Sequence, residues 1–312
     1  MTVFLFSGQG SQYFQMGREL FETNVSFRRW MMRLDETARL LSGHSVVDAI
    51  YSPVHGKGDP FDRTLLTHPA IVMVELSLAQ TLIEMGIEPD LVLGASLGTF
   101  AAAAVAGFFT ADDALAAVIR QAEMLEESCE PGGMIAVLAD PALFDEFRDS
   151  SELAAVNFSS HFVLTARAQE LSAIEGELKR RSIGHQRLPV SFAFHSRWID
   201  EAKAPFLSFM QTIGRTPNRL PLIGCDKAGP VDVRSGDALW DVVRQPIRFR
   251  ETIARLEQQG AHRYVDVGPA GTLATFLKYE LPKTTLSTVH AILTPYGLDQ
   301  KNLAAVSASL SH

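Results

Sequence analysis

No stretch of this chain constrains its fold more than Leu91-Val92-Leu93-Gly94-Ala95-Ser96-Leu97-Gly98 and the alanine-rich residues 97–106 that follow. An apolar run, a serine between two glycines and a helical pattern succeed one another without a gap. The order predicts a buried strand, a tight turn and a helix that a neighbour can approach closely. GxSxG also arises by chance in small-residue turns. With a strand before it and a helix after it, the motif reads as a nucleophile elbow, with Ser96 as the nucleophile. The helix dipole and the Leu97 N–H then lie where an oxyanion would form.

The rest of the chain alternates short apolar runs with helical patterns, which predicts an α/β fold with a mostly parallel sheet. Residues 3–6, 91–93, 222–223 and 264–267 read as buried strands. Residues 69–85 read as a helix with a broad apolar face, and 111–127 as the next, with Thr110 as its N-cap and Asp112 and Asp113 in its first turn. The texture breaks at Cys129-Glu130-Pro131-Gly132-Gly133. After the break, strands at 134–138, 153–156, 162–165 and 186–188 enclose helices near 141–148 and 168–181. Strand, helix, strand, strand, helix, strand is the ferredoxin-like pattern. The expected organisation is a large domain over 1–130 and 195–312, interrupted by a small subdomain over 131–194.

Composition excludes several classes. With 312 residues and 46% hydrophobic content, the chain has ample length for a large core. Its formal net charge of −8 argues against a nucleic-acid partner. Lys179-Arg180-Arg181 reads either as a solvated helix end or as a docking spot for an acidic partner. No apolar run looks long enough to cross a membrane, and the first residues read as a strand rather than a signal peptide. Cys129 and Cys225 are far apart with no CxxC spacing. That argues against a disulfide framework or a metal site and fits a cytoplasmic protein.

A serine nucleophile needs a base. Of nine histidines, His195 stands out, at the end of Ser191-Phe192-Ala193-Phe194-His195-Ser196, where the small subdomain returns to the large one. Clefts between domains are preferred sites for pockets. A second glycine-rich segment, Ser7-Gly8-Gln9-Gly10-Ser11-Gln12, follows the first strand. It lacks the third glycine of a dinucleotide fingerprint. Its alternative role is to bring a backbone N–H beside the elbow.

Gly8-Gln9-Gly10-Ser11-Gln12, Thr67-His68-Pro69-Ala70, Gly94-Ala95-Ser96-Leu97-Gly98, Phe192-Ala193-Phe194-His195-Ser196 and Val265-Asp266-Val267-Gly268-Pro269 occur in this order. Together they resemble the malonyl-CoA:acyl-carrier-protein transacylases and the acyltransferase domains of polyketide synthases, over essentially the whole chain. The resemblance implies an α/β-hydrolase-like large domain with a ferredoxin-like insert. It makes Ser96 the nucleophile and His195 the base, with the N–H groups of Gln9 and Leu97 forming the oxyanion hole. It also implies that a backbone carbonyl orients the histidine, and the matching stretch around 241–246 points to Val242. The implied partner is an acyl carrier protein, with acyl-CoA as another donor. The acyl group would ride on phosphopantetheine, with no resident cofactor or metal, and the enzyme is expected to be monomeric.

The departures from the family pattern bear on the substrate. Malonyl-using members carry an arginine 25 residues after the serine, and here that position is Gln121. A buried carboxylate without its guanidinium partner costs about 3–5 kcal/mol, so uncharged acyl groups, acetyl and longer, are expected. Arg120 is adjacent, but neighbouring helix positions point about 100° apart; only a shifted helix register would let it substitute. The residues Ala95, Phe192 and Phe194 are also expected to shape the acyl site. Ser7 before Gly-Gln-Gly, Ala95 before the nucleophile and Gln121 in place of the arginine together look like the free-standing acyl hydrolases of trans-acyltransferase polyketide synthases; Thr99, where glutamate is common, is a further departure. The expected activity is hydrolysis of acyl units from carrier proteins. An acyltransferase for acetyl or malonyl, and an inactive carrier-protein binder, are the alternatives.

Overall fold

The computed structural model describes residues 1–310. Strand β1 (Thr2–Phe6) is buried at every position, and helices α1 (Arg18–Thr23), α2 (Val25–Ser42), α3 (Val46–Ile50) and α4 (Thr64–Glu84) follow it. Strand β2 (Leu91–Gly94) runs into α5 (Gly98–Ala106), and α6 (Ala111–Ser128) comes next. Thr110 caps α6 in a full capping box with Asp113, which fixes where that helix starts and therefore which residues face inward.

A second sheet follows, made of β3 (Gly132–Leu138), β4 (Glu152–Phe158), β5 (His161–Arg167) and β6 (Gly184–Arg187), with α7 (Ala168–Arg180) between the last two. The chain then forms α8 (Lys203–Met210), β7 (Leu222–Gly224), β8 (Gly229–Pro230), α9 (Gly236–Arg244) and α10 (Phe249–Glu257). It ends with β9 (Arg263–Asp266), α11 (Thr272–Glu280), β10 (Thr288–Ala291) and α12 (Asp299–Leu310).

The large sheet runs β10-β9-β1-β2-β7-β8 and is parallel except where β8 pairs with β7. The small sheet runs β4-β5-β3-β6 and is antiparallel throughout, the strand order of a ferredoxin-like unit. This is the expected α/β fold with a small antiparallel insert. Ile247, between α9 and α10, pairs with the edge of the small sheet at β4: its N–H donates to the Ala154 carbonyl (2.8 Å) and its carbonyl accepts from the Val156 N–H (2.9 Å).

Two expectations need correction. The helix expected near 141–148 is a short 3-10 turn, Pro141–Glu146. The Ser150 and Ser151 hydroxyls both donate to the Phe147 carbonyl and close the chain back toward β4. Helix α4 is in fact long and apolar enough to cross a membrane. It packs against α2, α5 and α6, and its all-round apolarity is that of a buried central helix. The Lys179-Arg180-Arg181 cluster lies at the end of α7, where Arg180 pairs with Glu177 and Arg181 with Glu146.

Candidate active site

The elbow is built by close approach. A Cβ on Gly98 would sit 2.4 Å from the Phe6 carbonyl carbon, and one on Gly94 would sit 2.4 Å from Thr99 Cα. Only glycine fits either position, and the turn between them places Ser96 in the left-handed region at φ 54°. A non-glycine residue there is strained, and such strain gathers at functional sites. His195 shares the feature, at φ 61°. The Ser96 hydroxyl and His195 Nε2 are 2.8 Å apart.

The imidazole is held from two sides. Its backbone N–H donates to the Val243 carbonyl (3.0 Å), and its Nδ1 lies 2.7 Å from the Gln245 carbonyl oxygen. A carbonyl can only accept, so Nδ1 carries the proton and Nε2 is left to accept from Ser96. The orienting carbonyl is therefore that of Gln245, not Val242. Val242 lies inside α9, whereas Gln245 precedes Pro246 and is extended, with ψ 154°. A residue before proline is forced out of the helical region, and its carbonyl turns out of the helix.

Burial pushes the His195 pKa down to about 4, against the opposing effect of its hydrogen bond to the Gln245 carbonyl; the Arg244 charge pushes it the same way as burial. Arg244 is itself held by Asp200 at 2.7 Å. At neutral pH the imidazole is uncharged and able to take a proton.

A cavity of about 230 Å³ opens in front of the pair, lined by Gln9, Ala95, Ser96, Phe194 and His195 on one side and by Asn157, His161 and Phe276 on another. It lies between the two sheets, as β3, β4 and β5 all contribute to its wall. Among the described residues, no lysine or arginine lines it. Gly8 packs directly against the nucleophile: a Cβ there would be 2.8 Å from Ser96 Cβ and 3.3 Å from its hydroxyl oxygen. The peptide that follows Gly8 carries the Gln9 N–H. The Gln9 side chain turns to Thr67, donating to its hydroxyl at 2.8 Å.

The remaining expected residues are placed differently. Phe192 packs edge-on against Phe194, with ring centroids 6.3 Å apart, and backs the cavity without lining it. The side chain of Leu97 is buried in the core, which leaves its N–H as the group of interest. Gln121 is buried on α6, and neither of its amide atoms has a protein partner, but it does not line the cavity. Arg120 is exposed and bonded to Glu123 at 2.6 Å, so the capped register of α6 turns it away. Sequence reasoning gave no role to His68, Asn157 or His161. His68 lies 5.5 Å from Phe194, and burial lowers its pKa to about 3. Its place in Thr67-His68-Pro69-Ala70 was the available signal. Asn157 and His161 face each other across the β4–β5 hairpin at 3.1 Å, a meeting that only pairing of the two strands creates.

A serine at the strand-to-helix turn of a parallel sheet, within hydrogen-bond reach of a buried histidine, is the arrangement of α/β acyl-transfer folds. The chain belongs to the acyl transferase domain family, whose pattern it matches over residues 3–310. It is 44% identical over 312 residues to the polyketide biosynthesis acyltransferase homolog BaeD of Bacillus velezensis, covering 99% of this chain and 96% of that protein. It is 41% identical over 307 residues to the homolog PksD of Bacillus subtilis, covering 97% and 95%. Among solved structures, a loading acyltransferase from the avermectin modular polyketide synthase superposes over the full length of both chains, with a TM-score of 0.90 at 25% identity. The MCAT from Streptococcus pneumoniae shares the fold, with a TM-score of 0.81 at 24% identity over 99% of this chain and 100% of the other.

Proposed function

We propose that this chain hydrolyses uncharged acyl groups from acyl carrier proteins of polyketide biosynthesis, through an acyl-Ser96 intermediate. The observation that carries the reading is the cation-free cavity in front of Ser96. With Gln121 at the position of the family's arginine and Arg120 bound to Glu123 at the surface, a malonyl carboxylate has no guanidinium to meet. A neutral acyl chain needs none.

In the proposed mechanism, His195 Nε2 takes the Ser96 hydroxyl proton as Oγ attacks the thioester carbonyl. The oxyanion is stabilised by the Gln9 and Leu97 N–H groups. As the carbonyl re-forms, the carbon–sulfur bond breaks, and the phosphopantetheine sulfur leaves with the proton from His195. Water then replaces the thiol. His195 takes its proton, the hydroxide oxygen attacks the acyl carbon, and collapse returns that proton to Ser96 as the carboxylic acid departs. The Gln245 carbonyl keeps Nδ1 protonated throughout and steadies the imidazolium in each half-reaction.

Transfer to a second carrier thiol is the alternative, favoured by the full-length similarity to a loading acyltransferase. One experiment separates the two. Carrier protein loaded with acetyl, malonyl or a longer acyl group is incubated with the enzyme and an unloaded carrier, and intact mass is followed. Hydrolysis predicts loss of acetyl and longer groups with free acid formed and the second carrier unlabelled. Acyl mass appearing on the second carrier assigns transfer, and faster loss of malonyl than acetyl refutes the proposed substrate class.

A further inference from the structure

We propose that Glu75 is a positioning residue for the oxyanion hole, acting through Ser7 and Ser11 on the peptide that carries the Gln9 N–H. The inference rests on the reading of that N–H as an oxyanion donor.

Glu75 lies in the middle of α4, surrounded by apolar neighbours on its own helix, and is fully buried. A carboxyl in such a place is costly, and the helix has no need of it, since a leucine would suit the core better. Its Oε2 has no partner. All of its hydrogen bonding goes through Oε1 to one residue: it accepts from the Ser7 N–H at 2.6 Å and from the Ser7 hydroxyl at 3.1 Å. The same Ser7 hydroxyl proton is shared with the Ser11 hydroxyl oxygen, also at 3.1 Å, in a three-centre bond. Ser11 in turn donates to the Gly8 carbonyl at 2.8 Å.

The last bond is the informative one. The Gly8 carbonyl and the Gln9 N–H belong to the same planar peptide and point in opposite directions. Holding the carbonyl toward Ser11 therefore sets the direction of the N–H. Gly8 is packed so tightly against Ser96 that a Cβ there would fall 2.8 Å from the serine Cβ, so a small rotation of this peptide changes what the oxyanion meets. Ser7 is boxed in on its other side, because a Cβ on Gly268 would fall 2.3 Å from its hydroxyl oxygen. The chain of contacts thus runs from α4 through both hydroxyls of the loop to the peptide beside Ser96. Burial holds the Glu75 carboxyl well above the ordinary carboxylate range, so a neutral amide can stand in for it.

The test compares Glu75→Gln, Glu75→Leu and Ser7→Ala in the full-length protein, with melting temperature checking that each is folded. An oxyanion donor acts in the transition state and not in substrate binding, so the expected signature is a fall in kcat at unchanged KM. Glu75→Leu should lose about 10–100-fold in kcat, less than the roughly 10²–10³-fold of removing an oxyanion donor outright, because the N–H stays and only its direction is released. Glu75→Gln, which keeps an acceptor for Ser7, should stay within about threefold. Ser7→Ala keeps the backbone bond and loses the hydroxyl relay, and should fall between them. Glu75→Leu added to Ser7→Ala should cost less than the product of the two single losses. A wild-type kcat in Ser7→Ala, a loss carried by KM, a tenfold loss in Glu75→Gln, or multiplicative losses in the double variant would each overturn the proposal. The same series is run with a fluorophosphonate ester, which phosphonylates Ser96 with loss of fluoride and places its polarised P=O oxygen in the same hole. A wild type that reacts with this probe but leaves acetyl carrier protein intact refutes the proposed substrate, while the variants still test Glu75.

Discussion

Lowering the pH should stop this enzyme much later than it stops a histidine in water. In the proposed mechanism the base is His195 in its neutral form, with Nε2 free to accept from Ser96. Its pKa is pushed from 6.5 to about 4, first by burial. At 1.36 kcal/mol per tenfold change, that drop corresponds to about 3 kcal/mol of preference for the uncharged ring. The acid limb of kcat/KM for Ser96 acylation is therefore expected half-way down near pH 4, with a flat rate between about pH 5.5 and 8. Stopped-flow or quenched acylation after brief pH jumps measures the limb before slow unfolding intervenes. The same shift affects stability. Between pH 6.5 and about 4 the unfolded chain binds a proton at this site that the folded chain refuses, so the site destabilises the fold progressively as pH falls through that window. Asp266, buried and raised to about 6, acts in the opposite sense: its contribution is present at low pH and lost as pH rises from about 4 through 6. An acid limb centred near 6.5 would mean that the imidazole is hydrated in the working enzyme, and it would refute the argument from burial.

Further expectations concern single side chains. Ser96→Ala should leave the melting temperature within a few degrees and remove any covalent acyl mass from the protein; an acyl adduct persisting in this variant would place the nucleophile elsewhere. Gly8→Ala puts a Cβ 2.8 Å from Ser96 Cβ and 3.0 Å from the Ala95 carbonyl oxygen. It should slow acylation by about 10²-fold or more, the scale of a lost oxyanion donor, and near wild-type kinetics would show that the loop yields freely. Gln121→Arg should raise malonyl occupancy of Ser96 relative to acetyl by about tenfold or more, since hydrogen bonds to charged groups contribute about 1.5–3 kcal/mol. Mass spectrometry of the two adducts reads the ratio, and an unchanged ratio would separate Gln121 from the acyl site.

What the sequence made legible was local. The elbow is written in eight consecutive residues, and the insert in the alternation of apolar runs that becomes β3 to β6. His195 could be picked from nine histidines because an aromatic run leads into it. The Gln245 carbonyl was harder to find, since every residue carries a carbonyl and side-chain identity does not mark the one that matters. The usable signal was Pro246, which forces the residue before it out of the helix. Strand β10 escapes a sequence reading because it lies at the sheet edge and is only partly buried, so Thr288-Val289-His290-Ala291 shows no clear apolar pattern. Pro69 suggests the start of α4 because proline favours a first turn, yet the helix begins at Thr64. Glu75 shows in the sequence only as one polar residue in an apolar helix; its meaning depends on Ser7, 68 positions away.

The substrate question turns on helix phase, and the phase is fixed at some distance from the site. Thr110 and Asp113 cap each other at the start of α6. From that start, the face that buries Leu115, Val118, Ala122 and Leu125 also buries Gln121 and leaves Arg120 exposed. The glutamate at 123 then secures the outward arginine in an i,i+3 pair, of the kind that contributes only a few tenths of a kcal/mol on a helix surface. That pair does not hold Arg120 out; the buried apolar face does. Rotating the helix by the roughly 100° needed to bring Arg120 inward would expose several apolar side chains, each worth about 1.5–3 kcal/mol when fully buried. A charge-assisted hydrogen bond to a malonyl carboxylate could not offset that loss. Packing therefore decides between two adjacent residues: the cap sets the register, the register turns Gln121 inward and Arg120 outward, and the inward one is neutral.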